Sequence, residues 1–362
     1  MKPWFALLLA AQACAPSGGD SATHGDWLER PNTHARCFQV LERGASRRLI
    51  IYGAPDRSDT LAVLSVGREP DGGGAVHVPD EAALAVMSTT HLPFITALGR
   101  VGQLAGAAHI DRQRDSVILR AAADGRIVEL ASADGLDRER LLSSGAQVIL
   151  DYPFGRSRVR SSLPGIVQVP VTEYLEKHPL GRAEWIRFFG ALLGAERTAD
   201  SLFLAVVNRY GDAAVGLEPG KDPPKVLFGS AWQGQWHLPP GNSYMAQLIG
   251  DAGGAYLMAD RHAKGNIAMD TEAVAGLLLK ADRFGTIIAN GRPLSSKELC
   301  PDERLALLPA VASGSFYLDS ERSDIFGAAL LEPDVLVAEL ACVLGTGPCT
   351  QGRPTYVLRP GQ

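Results

Sequence analysis

The sequence has no block or stripe of lysine and arginine, and its 362 residues carry a formal net charge of -5. A nucleic-acid partner requires positive charge concentrated on one face, so none is expected. The motifs G-x-S-x-G and H-E-x-x-H and the lysine-containing phosphate loop are also absent, which removes the usual signatures of hydrolase and nucleotide chemistry. The 46% hydrophobic composition supports buried cores for two lobes of ordinary domain size.

Cysteine is scarce, and the spacings of the five cysteines match no zinc pattern. Cys14 follows an apolar leader. The other four are Cys37, Cys300, Cys342 and Cys349, an even number that suits an oxidising compartment and leaves three pairings open. The last two flank the Gly/Pro turn VLGTGP, which favours a bridge between them.

The first residues have the layout of an export signal. Lys2 precedes an apolar run from Trp4 to Ala11 that is too short to span a bilayer, and small residues lead to Cys14 and a Ser/Gly-rich tether. This predicts a signal peptide over residues 1–13. The stretch AQAC resembles a bacterial lipobox, although Ala11 stands where leucine is usual, and so indicates lipidation of Cys14. Simple export and a frayed apolar start are the alternatives.

The rest of the chain alternates short strand patterns with helix patterns on both sides of one long helical stretch. Runs such as AALAVM and AQVILDYP are typical of strands buried in a parallel sheet. From Gly181 apolar residues keep helical spacing for about thirty residues, about 45 Å as one helix, or two helices if Gly190 and Gly194 bend it. The predicted fold class is α/β, with two Rossmann-like α/β lobes joined by a long rigid linking helix.

This pattern divides the chain into five predicted segments. They are a signal peptide (1–13), a lipoprotein tether (14–36), an N-terminal α/β lobe (37–180), the linking helix (181–214) and a C-terminal α/β lobe (215–362).

Several stretches in order resemble the class III (helix-linked) periplasmic substrate-binding proteins of ABC importers for cobalamin, haem or ferric siderophores. VMSTTHLPFITALG is similar to that family's first strand and helix, and ERLLSSGAQVIL to a later helix and strand, with Ala146 and Gln147 in place of Pro and Asp. VPVTEYLEKHPLGRAEWIRFFGALLG resembles the crossing into the linking helix, and GNSYMAQLIGDAGGAYL with DTEAVAGLLL the start of the second lobe. The resemblance covers about residues 80–345 and implies a ligand cleft between the lobes.

The same resemblance implies a binding protein rather than an enzyme, with no cofactor besides the transported iron chelate, haem or cobalamin. It implies an ABC permease dimer with its ATPase as partner, attachment to a membrane through the lipid anchor, and a monomer in the periplasm or cell envelope. The alternatives are a secreted α/β hydrolase or oxidoreductase, and a metal-ion binder of the zinc/manganese class. The second requires clustered His, Asp and Glu, which here are scattered.

Candidate ligand-binding residues fall at predicted strand ends and helix starts, where open α/β sheets place their binding loops. Aromatic rings supply flat walls for a corrin or porphyrin, and arginines pair with propionates, phosphate or carboxylates. Core packing and a solvated basic loop are the competing interpretations. The candidates are Thr89, Thr90, His91, Tyr152, Arg156, Arg158 with the nearby Arg160, Trp232, Trp236 and Tyr244.

Among the histidines only His91 is a candidate metal ligand. Neutral imidazole suits iron and cobalt, so axial ligation of the ligand's metal competes with a capping or packing role. His109, His237 and His262 form no spacing that metals require and are expected in loops or on the surface.

Glu139 and Glu272 each stand at the start of a short predicted helix, one in each lobe. The resemblance assigns these positions to acidic residues that meet arginine pockets on the permease. The alternative is local, because a helix dipole favours a carboxylate in the first turn by a few tenths of a kcal/mol. We interpret the two residues as a permease-docking pair.

Overall fold

A computed structural model describes residues 26–71, 73–132, 135–153, 163–217, 220–349 and 352–362. The predicted signal peptide, Cys14, Arg156, Arg158 and Arg160 lie outside this part of the chain. No helix within the described ranges is both long and apolar enough to cross a membrane.

The described chain begins with a five-stranded sheet that the sequence patterns predicted only in part. Its strands, β1 to β5 in spatial order, are antiparallel except for the parallel pair β4 and β5. Phe38 pairs with Ile51 and Leu49 with Leu64, so alternate residues turn one apolar face inward. β1 lies inside the segment predicted as a tether, so ordered structure begins before Cys37. The strands are β1 (Leu28–Arg30), β2 (Phe38–Arg43), β3 (Ser46–Tyr52), β4 (Thr60–Gly67) and β5 (Val76–Pro79).

The next part, here called the first lobe, is the predicted parallel sheet with its helices. Its elements are β6 (Leu84–Val86), α1 (Leu92–Ala97), β7 (Leu104–Ala107), α2 (Ser116–Ala123), β8 (Val128–Glu129), the hairpin β9 (Ala131–Ser132) and β10 (Gly135–Leu136), α3 (Arg138–Ser143), β11 (Val148–Asp151) and β12 (Val167–Pro170). The main sheet has the order β12-β11-β6-β7-β8 and is parallel throughout. The strand order therefore reverses between β6 and β11, which is a topological switch point.

The segment predicted as the linking helix, with a division at Gly190 or Gly194 left open, is two helices, α4 (Pro179–Leu193) and α5 (Glu196–Ala214). Gly194 ends α4 in the left-handed region, with φ of 64°, a conformation that glycine adopts without a Cβ penalty. The helical period of the apolar residues continues across Gly194. The period alone therefore does not reveal that the chain reverses direction there.

α5 runs back antiparallel to α4. Gly190 faces Ala199 near the turn, and the His178 ring lies 6.2 Å from the Tyr210 ring at the other end. A Cβ placed on Gly190 would lie 2.5 Å from the Cβ of Ala199, so the close crossing of the two helices requires glycine there.

α5 is the longer of the two helices, and its 19 residues extend about 28 Å between the N-terminal sheet and the second lobe. Near its start Glu196 pairs with Arg47 of β3 at 2.6 Å. Near its end Arg209 lies 3.2 Å from Asp334 in the last helix of the chain. α4, with Trp185 and Phe188 fully buried, packs in the core between the N-terminal sheet and the first lobe, and it also contacts helices of the second lobe.

The second lobe repeats the α/β pattern. Its elements are β13 (Lys225–Phe228), β14 (Ser230–Trp232), β15 (Gln235–Leu238), α6 (Tyr244–Asp251), β16 (Ala255–Tyr256), β17 (Ile267–Met269), α7 (Thr271–Leu278), β18 (Arg283–Ile288), α8 (Glu303–Ala306), α9 (Pro309–Ala312), β19 (Ser315–Asp319), α10 (Pro333–Leu344) and β20 (Val357–Leu358). The main sheet has the order β16-β13-β18-β19-β20, parallel except for β20, and its switch point lies between β13 and β18. β14, β15 and β17 form a separate antiparallel sheet.

The structure contains one of the disulfides that the sequence left open. Cys342 and Cys349 form a disulfide across the turn that follows α10, which confirms the bridge favoured by the sequence. Cys37 and Cys300 are buried and form no disulfide with another cysteine of the described chain. Burial raises the pKa of both thiols.

Two buried glutamates of the α4 region hold the segment that enters β2. The Glu184 carboxylate accepts the backbone N–H groups of Thr33, His34 and Ala35 at 2.7–2.8 Å. The Glu176 carboxylate accepts the next two N–H groups, of residues 36 and 37, and the indole N–H of Trp185. Five consecutive backbone donors are therefore satisfied by two side chains, which fixes the N-terminal sheet on α4.

Glu176 makes folding stability depend on pH. Burial raises its pKa from 4.5 to about 7, against the hydrogen bonds from residues 36 and 37 and Trp185 that favour the charged form. The folded state therefore holds a proton that the unfolded state releases, and the free energy of unfolding falls as pH rises from about 4.5 to 7, by roughly 3 kcal/mol from this group. Glu176→Gln should lose that part of the slope. Urea unfolding at several pH values is the measurement, and an unchanged slope in the variant would contradict the assignment.

Candidate functional site

The loops at the two switch points carry several of the predicted ligand-binding residues. In the first lobe Thr89 follows β6 and Tyr152 follows β11, both half-buried. In the second lobe Trp232 ends β14, which continues β13, while Asn290 and Arg292 follow β18. Open α/β sheets bind ligands outside the carboxyl ends of their strands at these points, so each lobe offers one half of a candidate site.

A cavity of about 960 Å³ lies at the switch point of the second lobe. Ala231, Ile287 and Ile288 give it an apolar wall. Its lining also contains the exposed cations Arg292 and Lys297 and the carboxylates Glu298 and Glu303, and Arg292 pairs with Glu298 at 2.6 Å. Its size is at the upper end of the range for small-molecule sites. Arg292 and Lys297 were not among the candidate residues predicted from the sequence. The signal was IIANGRPL, in which a Gly turn and an arginine directly follow a predicted strand.

Buried Asp319, the last residue of β19, fixes the loop beside this cavity. Its carboxylate accepts the backbone N–H groups of Asn290 and Gly291, both at 3.1 Å, and of Glu321 at 2.9 Å. Glu129 of the first lobe does the same for the loop after β7, where its carboxylate accepts the backbone N–H groups of His109 and Ile110. The binding loops of both lobes are therefore held by a buried or half-buried carboxylate.

The two tryptophans predicted as ligand contacts have different environments. Trp232 is 64% exposed at the tip of the hairpin of β14 and β15. The turn residues Gln233 and Gly234 both have positive φ, as in the tight type I′ turn, which presents the ring at a fixed place. Trp236 is 3% exposed and packs edge-on against Phe284, so it is a core residue. Trp232 is therefore the exposed aromatic ring of this hairpin, 6.1 Å from the His237 ring and next in sequence to Ala231, which lines the cavity.

Three other predicted residues meet around a carboxylate that the sequence analysis did not single out. Glu173 is 1% exposed, and its Oε1 accepts a hydrogen bond from Thr90 Oγ1 at 2.7 Å. His91 Nε2 lies 3.7 Å from its Oε2, and an Arg182 guanidinium nitrogen lies 3.6 Å from its Oε1. The Arg182 guanidinium also covers the Tyr244 ring, at 5.2 Å from the ring centre. We call these five residues the Glu173 cluster.

The Glu173 cluster is charged and incompletely hydrogen-bonded. Burial alone would raise the pKa of Glu173, but the adjacent His91, Arg182 and Thr90 outweigh it and hold the pKa below its usual value. Both ring nitrogens of His91, Glu173 Oε2 and Arg182 Nε are buried and have no hydrogen-bond partner among the residues that the structure describes. His91 is fully buried beside Phe189, so the ring that was a candidate axial ligand is not exposed to a cleft ligand in this conformation.

The lobes also touch directly. A guanidinium nitrogen of Arg114, between the first-lobe elements β7 and α2, donates to the backbone carbonyl of Ser320 in the second lobe at 3.1 Å. No group of three His, Cys, Asp or Glu side chains suited to a metal ion occurs among the residues that the structure describes.

Glu139 and Glu272 occupy equivalent positions. Each is exposed and is the second residue of its helix, α3 or α7. The preceding Asp137 and Asp270 are the N-caps, and their side chains accept the third backbone N–H at 3.0 and 2.7 Å. The structure therefore gives both lobes the same Asp-x-Glu helix start.

Comparison with known proteins identifies the fold. No known family model matches the sequence. An uncharacterized lipoprotein of Methanocaldococcus jannaschii is 26% identical over 331 residues, which is 88% of this chain and 77% of that protein. A possible iron-binding, periplasmic solute-binding protein of Staphylococcus epidermidis superposes with a TM-score of 0.57 at 11% identity, over 73% of this chain and 99% of that one.

A periplasmic heme binding protein of Pseudomonas aeruginosa gives a TM-score of 0.54 at 16% identity, over 77% of this chain and 98% of that one. A periplasmic binding protein of Veillonella parvula gives a TM-score of 0.58 at 15% identity, over 73% of this chain and 92% of that one. The chain therefore has the two-lobed fold of periplasmic solute-binding proteins, as its sequence resemblance predicted. About a quarter of it has no counterpart in these structures, whereas they are matched almost completely.

Proposed function

We propose that this protein is the extracytoplasmic substrate-binding component of an ABC importer, which captures an iron chelate, haem or cobalamin and delivers it to the permease. The observation that carries the proposal is the cavity at the switch point of the second lobe, in a chain with a solute-binding fold. The apolar wall of the cavity, the Lys297 cation in its lining and the exposed Trp232 next to the lining residue Ala231 suit a flat, partly anionic metal complex. In the first lobe, Thr89 and Tyr152 stand at the matching strand ends.

The proposal includes export and anchoring. Lipidated Cys14 would tether the protein to an envelope membrane, within reach of a permease dimer and its ATPase. The support is the AQAC stretch and the similarity to a protein named as a lipoprotein. The 12 residues from Cys14 to the start of the described chain would extend to at most about 40 Å, so the anchor would keep the N-terminal sheet near the membrane.

Binding can be tested directly with three probes. Titration of ligand-free protein with haemin, cyanocobalamin and a panel of ferric siderophores, followed by intrinsic tryptophan fluorescence, should show saturation for at least one. The expected affinity is sub-micromolar, on the order of -8 kcal/mol or better. Absence of saturable binding to every member would contradict the proposed ligand class.

The same experiment has a matched pair of variants. By calorimetry, Trp232→Ala should weaken binding of the successful probe by about tenfold, since it removes an exposed aromatic wall. Trp27→Ala should leave the affinity unchanged, because Trp27 lies beside Arg43 and Arg48 of the N-terminal sheet.

Docking is the second property to test. Glu139 and Glu272 would each meet an arginine cluster on one permease subunit. Removal of one such charge-assisted pair should weaken the free energy of docking by about 2 kcal/mol or more. Glu139→Arg and Glu272→Arg should each reduce uptake strongly in cells, and the double variant should be at least as severe. Ligand affinity and Tm should remain nearly unchanged, because both side chains are exposed.

Asp212→Arg supplies the control, since it reverses an exposed acidic residue on α5 rather than on α3 or α7. It should leave uptake intact. If ligand affinity falls in parallel with uptake in the Glu139 or Glu272 variants, these residues line the cleft and the docking assignment is wrong.

A further inference from the structure

We propose that Glu173 is a positioning residue that couples the loop after β6 to the second lobe through Arg182 and Tyr244. The effect on ligand affinity rests on the proposed function, whereas the effect on the distance between the lobes rests on the geometry alone. It assigns a role to the Glu173 cluster, a buried charged group that folding of the first lobe does not by itself require.

The first step is the hold of Glu173 on the loop. Thr90 Oγ1 donates to the Glu173 carboxylate at 2.7 Å, and it also lies 2.8 Å from Ser88 Oγ, which caps the turn at the Thr90 N–H. One carboxylate oxygen from the turn after β12 therefore orients the side chains that begin the loop. This loop stands at the switch point, where the proposed function places ligand.

The second step is the link to the other lobe. Arg182 projects from α4 and lies between the Glu173 carboxylate, at 3.6 Å, and the Tyr244 ring, at 5.2 Å from its centre. Tyr244 is the first residue of α6, in the second lobe. A guanidinium held between an anion and an aromatic face moves with whichever of them moves, so displacement of α6 changes the charge that faces Glu173.

The third step is the incomplete bonding of the cluster. His91 Nε2 is 3.7 Å from Glu173 Oε2, beyond hydrogen-bond distance, and Arg182 Nε has no hydrogen-bond partner within the described ranges. A buried polar network with open donors and acceptors is sensitive to small displacements, because each shift makes or breaks a costly bond. The cluster is therefore suited to transmit a small lobe movement.

Glu176 provides a natural control three residues further on. It is 2% exposed, nearly as buried as Glu173, but its carboxylate binds backbone N–H groups of the segment before β2 and the Trp185 indole. These partners lie in the N-terminal sheet and α4. Its removal should therefore change stability without changing the position of the second lobe.

The conformational arm uses nitroxide labels on Arg120→Cys in α2 and Lys280→Cys beyond α7, both exposed, in the ligand-free protein. The labelled wild-type background should show one narrow interlobe distance by pulsed electron spin resonance. Glu173→Gln keeps an acceptor for Thr90 but loses the charge that holds Arg182, and it should broaden or displace the distance. Glu176→Gln should reproduce the wild-type distance.

The ligand arm measures the affinity for haemin. Glu173→Gln should weaken it by about tenfold, Glu176→Gln should not, and Glu173→Asp, which keeps the charge, should recover part of the loss. If Glu173→Gln does not fold, Arg182→Lys takes its place, since it keeps the charge but loses the planar contact with Tyr244. Tyr244→Phe retains the ring and should retain the wild-type distance.

An interlobe distance in folded Glu173→Gln and Arg182→Lys that equals that of wild type would overturn the proposal. Failure of wild type to bind haemin, cobalamin or siderophores would count against the proposed function instead, and the distance measurement would still decide the role of Glu173.

Discussion

The structure depends on one repeated interaction, a buried or half-buried carboxylate that accepts hydrogen bonds from the backbone of a distant loop. Burying a carboxylate is costly unless hydrogen-bond donors surround it, and the N–H groups of a buried loop need acceptors. The loop N–H groups therefore stabilise the carboxylate, and the carboxylate satisfies the N–H groups. Glu184 and Glu176 do this for residues 33–37, and Glu339 does it for the N–H groups of Thr355, Tyr356 and Val357 that lead into β20. These contacts join segments from about 16 to 150 positions apart.

The same interaction shapes the candidate site. Asp319 and Glu129 hold the loops at the carboxyl edges of the two sheets, so the residues that would meet a ligand stand on a fixed backbone. Glu173 differs from the others because its partners are three side chains, Thr90 and His91 of the loop after β6 and Arg182 of α4, two of them charged or chargeable. Among the carboxylates described here, it is the one whose environment a lobe movement would change.

Local features of the fold were predictable from the sequence because their causes are local. The Ser88 cap, the Gly99 stop and the Ser243 cap of α6 follow from side-chain chemistry within three residues. The reversal at Gly194 was left open, since an apolar helical period is the same for one straight helix as for two that pack together. β4 was missed as well, although TLAVLSVG is rich in β-branched residues.

The site was only partly predictable. Thr89, Tyr152 and Trp232 lie at or just after strand ends, as the apolar runs predicted. Trp236 lies in the core, because such a pattern does not distinguish the inward face of a hairpin from the outward face. The Glu173 cluster was not foreseeable as a unit, since Glu173 and Thr90 are 83 positions apart. Whether the protein carries a metal chelate between its lobes is tested most directly by native mass spectrometry of protein exported by its own host, read with its visible absorption spectrum. The account predicts an added mass that matches a tetrapyrrole, corrinoid or ferric chelate and an absorption band that is lost from the protein on unfolding. Protein that is saturated with a colourless ligand of another class would contradict it.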